Sequence, residues 1–73
     1  MPARFRDIVR ALRKLGVTVA EPRRGSHWKL VDASGKSTVI SVHGGMKSEI
    51  SDIYISVICR TFGLEEGAFR GML

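Results

Sequence analysis

The densest chemistry in the chain lies in Arg23-Arg24-Gly25-Ser26-His27-Trp28-Lys29-Leu30. Two cations lead into a glycine, a serine and a histidine follow, and the sole tryptophan stands between that histidine and a lysine. No other stretch brings cations, a permissive backbone and a titratable ring so close together. Imidazole titrates near pH ~6.5, so His27 can take or give a proton at cell pH. Gly25 offers backbone angles that other residues avoid, or a close approach of a ligand to the main chain. A lone histidine in a small basic domain also serves as a surface or hydrogen-bonding residue, and local chemistry leaves both roles open.

From Ser26 onward the chain reads as extended, and side chains on a strand face alternate sides. Trp28 and Leu30 then share the core face, while His27 and Lys29 share the other. Upstream, the spacing predicts a helix from Ala3 to Leu15, with Phe5, Ile8, Val9, Leu12 and Leu15 as its apolar stripe. Gly16 stands where a capping glycine belongs. Arg6, Arg10 and Arg13 line one exposed helix face, suited to phosphates or simply to solvent. Val17–Ala20 reads as a short strand, broken by Glu21-Pro22. His27–Val31 is the second strand, and Asp32–Lys36 has hairpin-turn chemistry. Thr38–Val42 is the third strand. Ile40 and Val42 would face the core, with Ser41 and His43 on the side of His27 and Lys29. His43 can assist a site or serve as a strand-end hydrogen-bonding residue. The loop His43–Lys47 follows, and its Gly44-Gly45 pair is too short for a phosphate cradle.

Residues 50–62 admit two readings: Ile53–Ile58 is β-branched and would suit a strand, but the long apolar run, a cap at Ser51 or Asp52 and an end at Gly63 favour a helix over 51–62. Ile50, Ile53, Val57 and Ile58 form one apolar set; Ile55, Cys59 and Phe62 form another. A helix on a sheet needs only one stripe. The second set is therefore expected to meet another chain, unless Phe69 and Leu73 fold back over it. Leu64–Phe69 reads as a last helical turn. The order is α-β-β-β-α. The fold class is α+β, a double-stranded-RNA-binding-like layout with a three-stranded antiparallel sheet and both helices on one face.

At 73 residues the chain is expected to form one small domain, which buries only about 60% of its unfolded surface. Cys59 is the single cysteine, so no internal disulfide framework exists, and no Cys/His cluster argues for structural zinc. No run approaches the ~18 apolar residues of a membrane span. The N-terminus carries Asp7 and lacks a signal-peptide apolar region, so a cytoplasmic location is expected. Charge is uneven: residues 1–47 hold ten Lys/Arg and three Asp/Glu, against two and four in residues 48–73. A basic half points to a polyanion such as nucleic acid, or to an acidic protein.

With these residues in place, the chain resembles the HicA family of messenger-RNA interferase toxins. The resemblance runs over most of the chain: Leu15-Gly16 at the helix end, Arg24-Gly25-Ser26-His27, Val42-His43, then Glu49-Ile50, Ile58, Arg60 and Gly63-Leu64. The family often has proline where this chain has Ser41, and Gly-Thr where it has Ile53-Tyr54. The resemblance implies a double-stranded-RNA-binding-like fold, cleavage of mRNA with His27 as catalyst, and neutralisation by a HicB-like antitoxin. That antitoxin, or a second copy in a homodimer, is the chain expected at Ile55, Cys59 and Phe62.

Such cleavage needs no metal and no cofactor if the 2′-hydroxyl attacks. It needs a base, an acid and positive charge at the phosphorane. His27 would serve as base, acid or both. Arg23, Arg24 and Lys29 would neutralise phosphate, Gly25 and Ser26 would shape the RNA-binding loop, and Arg6, Arg10 and Arg13 would add phosphate contacts. His43 is the auxiliary candidate. Ser26 is a poor nucleophile, because a strand neighbour of His27 points away from it. Two other readings share the same surface: a noncatalytic RNA-binding module, and an interaction protein for an acidic partner.

Overall fold

Phe5, Ile8, Val9 and Leu12 recur at helical spacing, and burying them together requires a helix. The computed structural model describes all residues from Met1 to Leu73, and there Phe5–Lys14 forms α1 with these four side chains no more than 2% exposed. Gly16, at φ +83°, ends the helix. The Gly16 N–H donates to the Arg13 carbonyl at 3.1 Å and the Val17 N–H to the Leu12 carbonyl at 2.9 Å. This pair of bonds satisfies carbonyls that a helix end otherwise leaves free, and it needs a left-handed residue at that position. Leu15, expected on the buried stripe, is instead 43% exposed.

Three strands follow: β2 (Thr18–Ala20), β3 (His27–Val31) and β4 (Ser37–Ser41), all antiparallel in the order β2-β3-β4. His27 pairs with Ser41, Lys29 with Val39 and with Ala20. The β3–β4 turn is held by Asp32, whose carboxylate accepts from the Ser34 and Lys36 N–H groups at 3.0 and 2.9 Å and from the Ser34 hydroxyl at 2.7 Å. The meander and its α+β class match the double-stranded-RNA-binding-like layout.

Beneath the sheet, Trp28, Leu30, Ile40 and Val42 meet α1 and the helix α2 (Asp52–Phe62). Trp28 and Phe5 pack edge to face, centroids 4.8 Å apart at 79°, a geometry worth about 0.5–1.5 kcal/mol beyond burial itself. Ser51 caps α2 by accepting from the Tyr54 N–H at 3.4 Å. The short helix α3 (Glu66–Gly71) then packs on α2 and brings Phe69 into the core.

Of the two outcomes open for the second apolar set of α2, a second chain or the chain's own end, the structure shows the latter: Ile55 and Cys59 are 0% and 4% exposed, in one core with Phe69 and with Leu73 packed against it. Two further features depart from the sequence expectation. Ile53, expected to face the core, is 77% exposed. The second departure is a small sheet: β1 (Ala3–Arg4) pairs antiparallel with β5 (Glu49–Ile50). Two-residue strands leave no periodicity to read. Their pairing seats the turn Gly45–Lys47 beside the start of α1, where the Phe5 N–H donates to the Ser48 carbonyl at 2.8 Å.

Candidate catalytic and nucleic-acid interface

The alternation on β3 divides the residues as their chemistry demands. Trp28 and Leu30 are buried, and His27 and Lys29 are exposed on the opposite face. Nothing covers that face. It also carries Ser41 across from His27 and Val39, 52% exposed, across from Lys29.

The loop before His27 is shaped by Gly25 at φ +81°, an angle that a side chain strains, with open space where a Cβ would stand. Arg23 and Arg24 are exposed there, and neither is engaged by a carboxylate. The loop is fastened to the end of β4. The Val42 N–H donates to the Ser26 carbonyl at 2.7 Å, and the Ser26 and Ser41 hydroxyls are 3.1 Å apart. Ser41 in turn lies 3.4 Å from Nε2 of His43. A polar series Ser26–Ser41–His43 therefore runs alongside His27. The Ser26 hydroxyl is engaged by Ser41 rather than by His27.

The structure does not bring all expected cations together. α1 lies on the Trp28 side of the sheet, so Arg10 and Arg13 are separated from His27 by the helix layer, and Arg10 is paired with Asp7 at 3.1 Å. Arg6, at the start of α1, lies loosely against Asp7 at 3.9 Å. It lines a cleft of about 320 Å³ with Arg4, Lys47 and Glu49. A second groove of about 360 Å³ is lined by Ser41, His43, Ser48, Glu49, Ser51 and Tyr54, among others. Glu49 borders both. Sequence reasoning named only Arg6, Ser41 and His43 among these groups as part of a site or its open face. The rest become neighbours through the β1–β5 pairing, which composition does not announce.

Burial pushes the Cys59 thiol up, with the Glu66 carboxylate adding to the effect. A protonated, buried thiol is no nucleophile, so the imidazole groups remain the candidates for proton transfer.

Residues 5–64 match the family described as HicA toxin of bacterial toxin–antitoxin systems. The chain belongs to the HicA toxin family. The match covers α1, the whole meander and α2, and so includes Gly25-Ser26-His27, His43 and Tyr54. A HicA toxin works within a pair, so an antitoxin partner is part of its biology. The comparison with curated proteins finds no match. No helix is long and apolar enough to cross a membrane.

Proposed function

We propose that this HicA-family toxin is a metal-independent endoribonuclease that cuts mRNA with His27 as its acid–base group. The observation carrying this reading is the exposure of His27 beside Lys29 on an uncovered sheet face, behind a loop that offers Arg23 and Arg24. In the reaction, His27 takes the proton of the ribose 2′-hydroxyl as O2′ bonds to phosphorus. The P–O5′ bond breaks, and the leaving oxygen receives a proton from the same imidazole or from His43. Arg23, Arg24 and Lys29 offset the charge that builds on the phosphorane oxygens. Gly25 lets the loop backbone approach the phosphate, and Ser26 holds the loop to β4.

Neutralisation by a HicB-like antitoxin then needs only a cover over this face. Val39 supplies an apolar contact beside Lys29 for that purpose. A toxin acting on mRNA in this way would work in the cytoplasm. A noncatalytic RNA-binding module or a receptor for an acidic protein would need the cations but not the imidazole.

The test is the chemistry of the ends. Wild-type protein incubated with a mixed-sequence transcript should yield 2′,3′-cyclic or 3′-phosphate and 5′-hydroxyl ends. A substrate with a 2′-deoxy sugar at the cut position should resist. Products bearing 5′-phosphate, or cleavage of the deoxy substrate, would refute attack by the 2′-hydroxyl.

A further inference from the structure

Outside the His27 face, one cluster of charge is unexplained. Arg4, Arg6 and Lys47 converge on a cleft that has no hydrophobic lining residue. They come from three places in the chain: β1, the first turn of α1 and the Gly45–Lys47 turn. The arrangement is built, since the Arg4–Glu49 register and the Phe5 to Ser48 hydrogen bond fix their backbones. Yet neither Arg4 nor Lys47 forms an ion pair, and the Arg4 side chain makes no helix-capping bond. Three cations line the cleft against one carboxylate, Glu49, with Asp7 only loosely against Arg6 at 3.9 Å, and an anion in the cleft would relieve the repulsion that remains.

We infer that Arg4, Arg6 and Lys47 form a phosphate-binding cleft that holds the backbone of single-stranded RNA beyond the nucleotides at His27. This rests on the reading of the protein as an RNA-cleaving toxin. The route between the two places is polar. Ser41 is the register partner of His27 and also borders the groove with His43, Ser48, Ser51 and Tyr54. That groove meets the cleft at Glu49. The Glu49 carboxylate repels phosphates, so it marks where a base or ribose passes and can accept from an amino group or a 2′-hydroxyl. Tyr54 is half-buried against the core and borders the groove, where the part of its ring left open would stack on a base, a sequence-tolerant contact in single-strand binders. The path turns from the sheet face round the end of β4 to the start of α1, on a molecule of 31 × 28 × 19 Å. A flexible single strand follows such a turn and a stiff duplex does not. An acidic protein is a poorer occupant, because protein interfaces have an apolar core and this cleft has none.

The experiment measures binding of a fluorescent single-stranded oligoribonucleotide of mixed sequence, about 20 nucleotides long so that it exceeds the ~4–16 a small fold covers. It uses His27→Ala protein, so that no turnover intervenes. Whether the wild type cuts RNA is measured separately, so a failure of the catalytic reading is not confused with a failure of this one. Each phosphate contact to a single strand contributes about 0.7 to the log–log salt slope. Adding Arg4→Ala, Arg6→Ala and Lys47→Ala should therefore flatten the slope by about 2. The control Lys14→Ala, Lys36→Ala, Arg60→Ala removes the same charge from exposed positions elsewhere and should leave most of the slope. Circular dichroism verifies that both triple variants are folded. An unchanged slope, or an equal fall in the control, would overturn the inference. So would an equal fall with a duplex of the same length. Retained RNA binding with loss of binding to poly-L-glutamate would assign the cleft to an acidic protein instead.

Discussion

His27 and Trp28 are adjacent on β3, yet their surroundings are opposite. Trp28 is 6% exposed and stacked edge-on against Phe5, while His27 stands in solvent across from Ser41. The same division runs through the sheet: Leu30, Ile40 and Val42 below, Lys29, Val39 and Ser41 above. The lower face holds the fold together, and the upper face is free to do chemistry because it contributes little to stability. In so small a domain this separation matters. Every apolar side chain available to one face is needed in a single core of fifteen residues.

The sharpest way to break the comparison is on the buried side. Trp28→Ala should cost about 3–5 kcal/mol, a large share of the ~5–15 kcal/mol that stabilises an ordinary domain. Its urea midpoint, followed by circular dichroism, should fall drastically. Ile55→Lys should behave alike, because a lysine there would be buried without a partner. A folded Ile55→Lys variant that had lost only association would restore the interface that the structure denies.

On the exposed side, Arg23→Ala or Arg24→Ala should leave the thermal midpoint unchanged. Each should slow RNA cleavage about tenfold or more, given the ~1.5–3 kcal/mol typical of a charged hydrogen bond. Arg10→Ala and Arg13→Ala should change cleavage little, since α1 carries them away from the sheet face. Equal losses at both pairs, read as kcat/KM on one transcript, would erase the distinction between the loop and the helix.

The smallest effect concerns the far end of the molecule. The Ser56 hydroxyl, and then Arg70, hold the Glu66 carboxyl below the usual carboxylate range. A depressed folded value means the stabilisation is present above about pH 4.3, the unfolded value, and is lost as pH falls through the folded one. Wild-type protein should therefore lose more stability between about pH 5 and pH 3 than Glu66→Gln. Parallel unfolding curves for the two proteins across that range would remove Glu66 from the acid response.

The sheet was legible because its pattern is local. His-Trp-Lys-Leu-Val alternates cleanly, Asp32 to Lys36 is turn chemistry, and Leu15-Gly16 announces a helix end. The orientation of α2 was not legible. Ile53, Ile55, Val57 and Ile58 are apolar on every side of the helix, so spacing alone does not choose the face, and α3 decides it by covering Ile55 and Cys59. The candidate site was half legible for the same reason. Arg23 to Lys29 are neighbours in sequence. Arg4 and Lys47 meet only because two-residue strands pair across the chain.

The central claim is that the upper face acts through His27, and removing that imidazole tests it most directly. His27→Ala leaves Trp28, the loop cations and the core in place. It should keep the wild-type circular dichroism spectrum and bind RNA as before, yet cleave it roughly 10²–10⁴-fold more slowly, the usual loss for a missing acid–base group. His43→Ala, at the loop end of the polar series, should cost less. Cleavage by a folded His27→Ala protein at the wild-type rate would contradict the account and move the chemistry to His43.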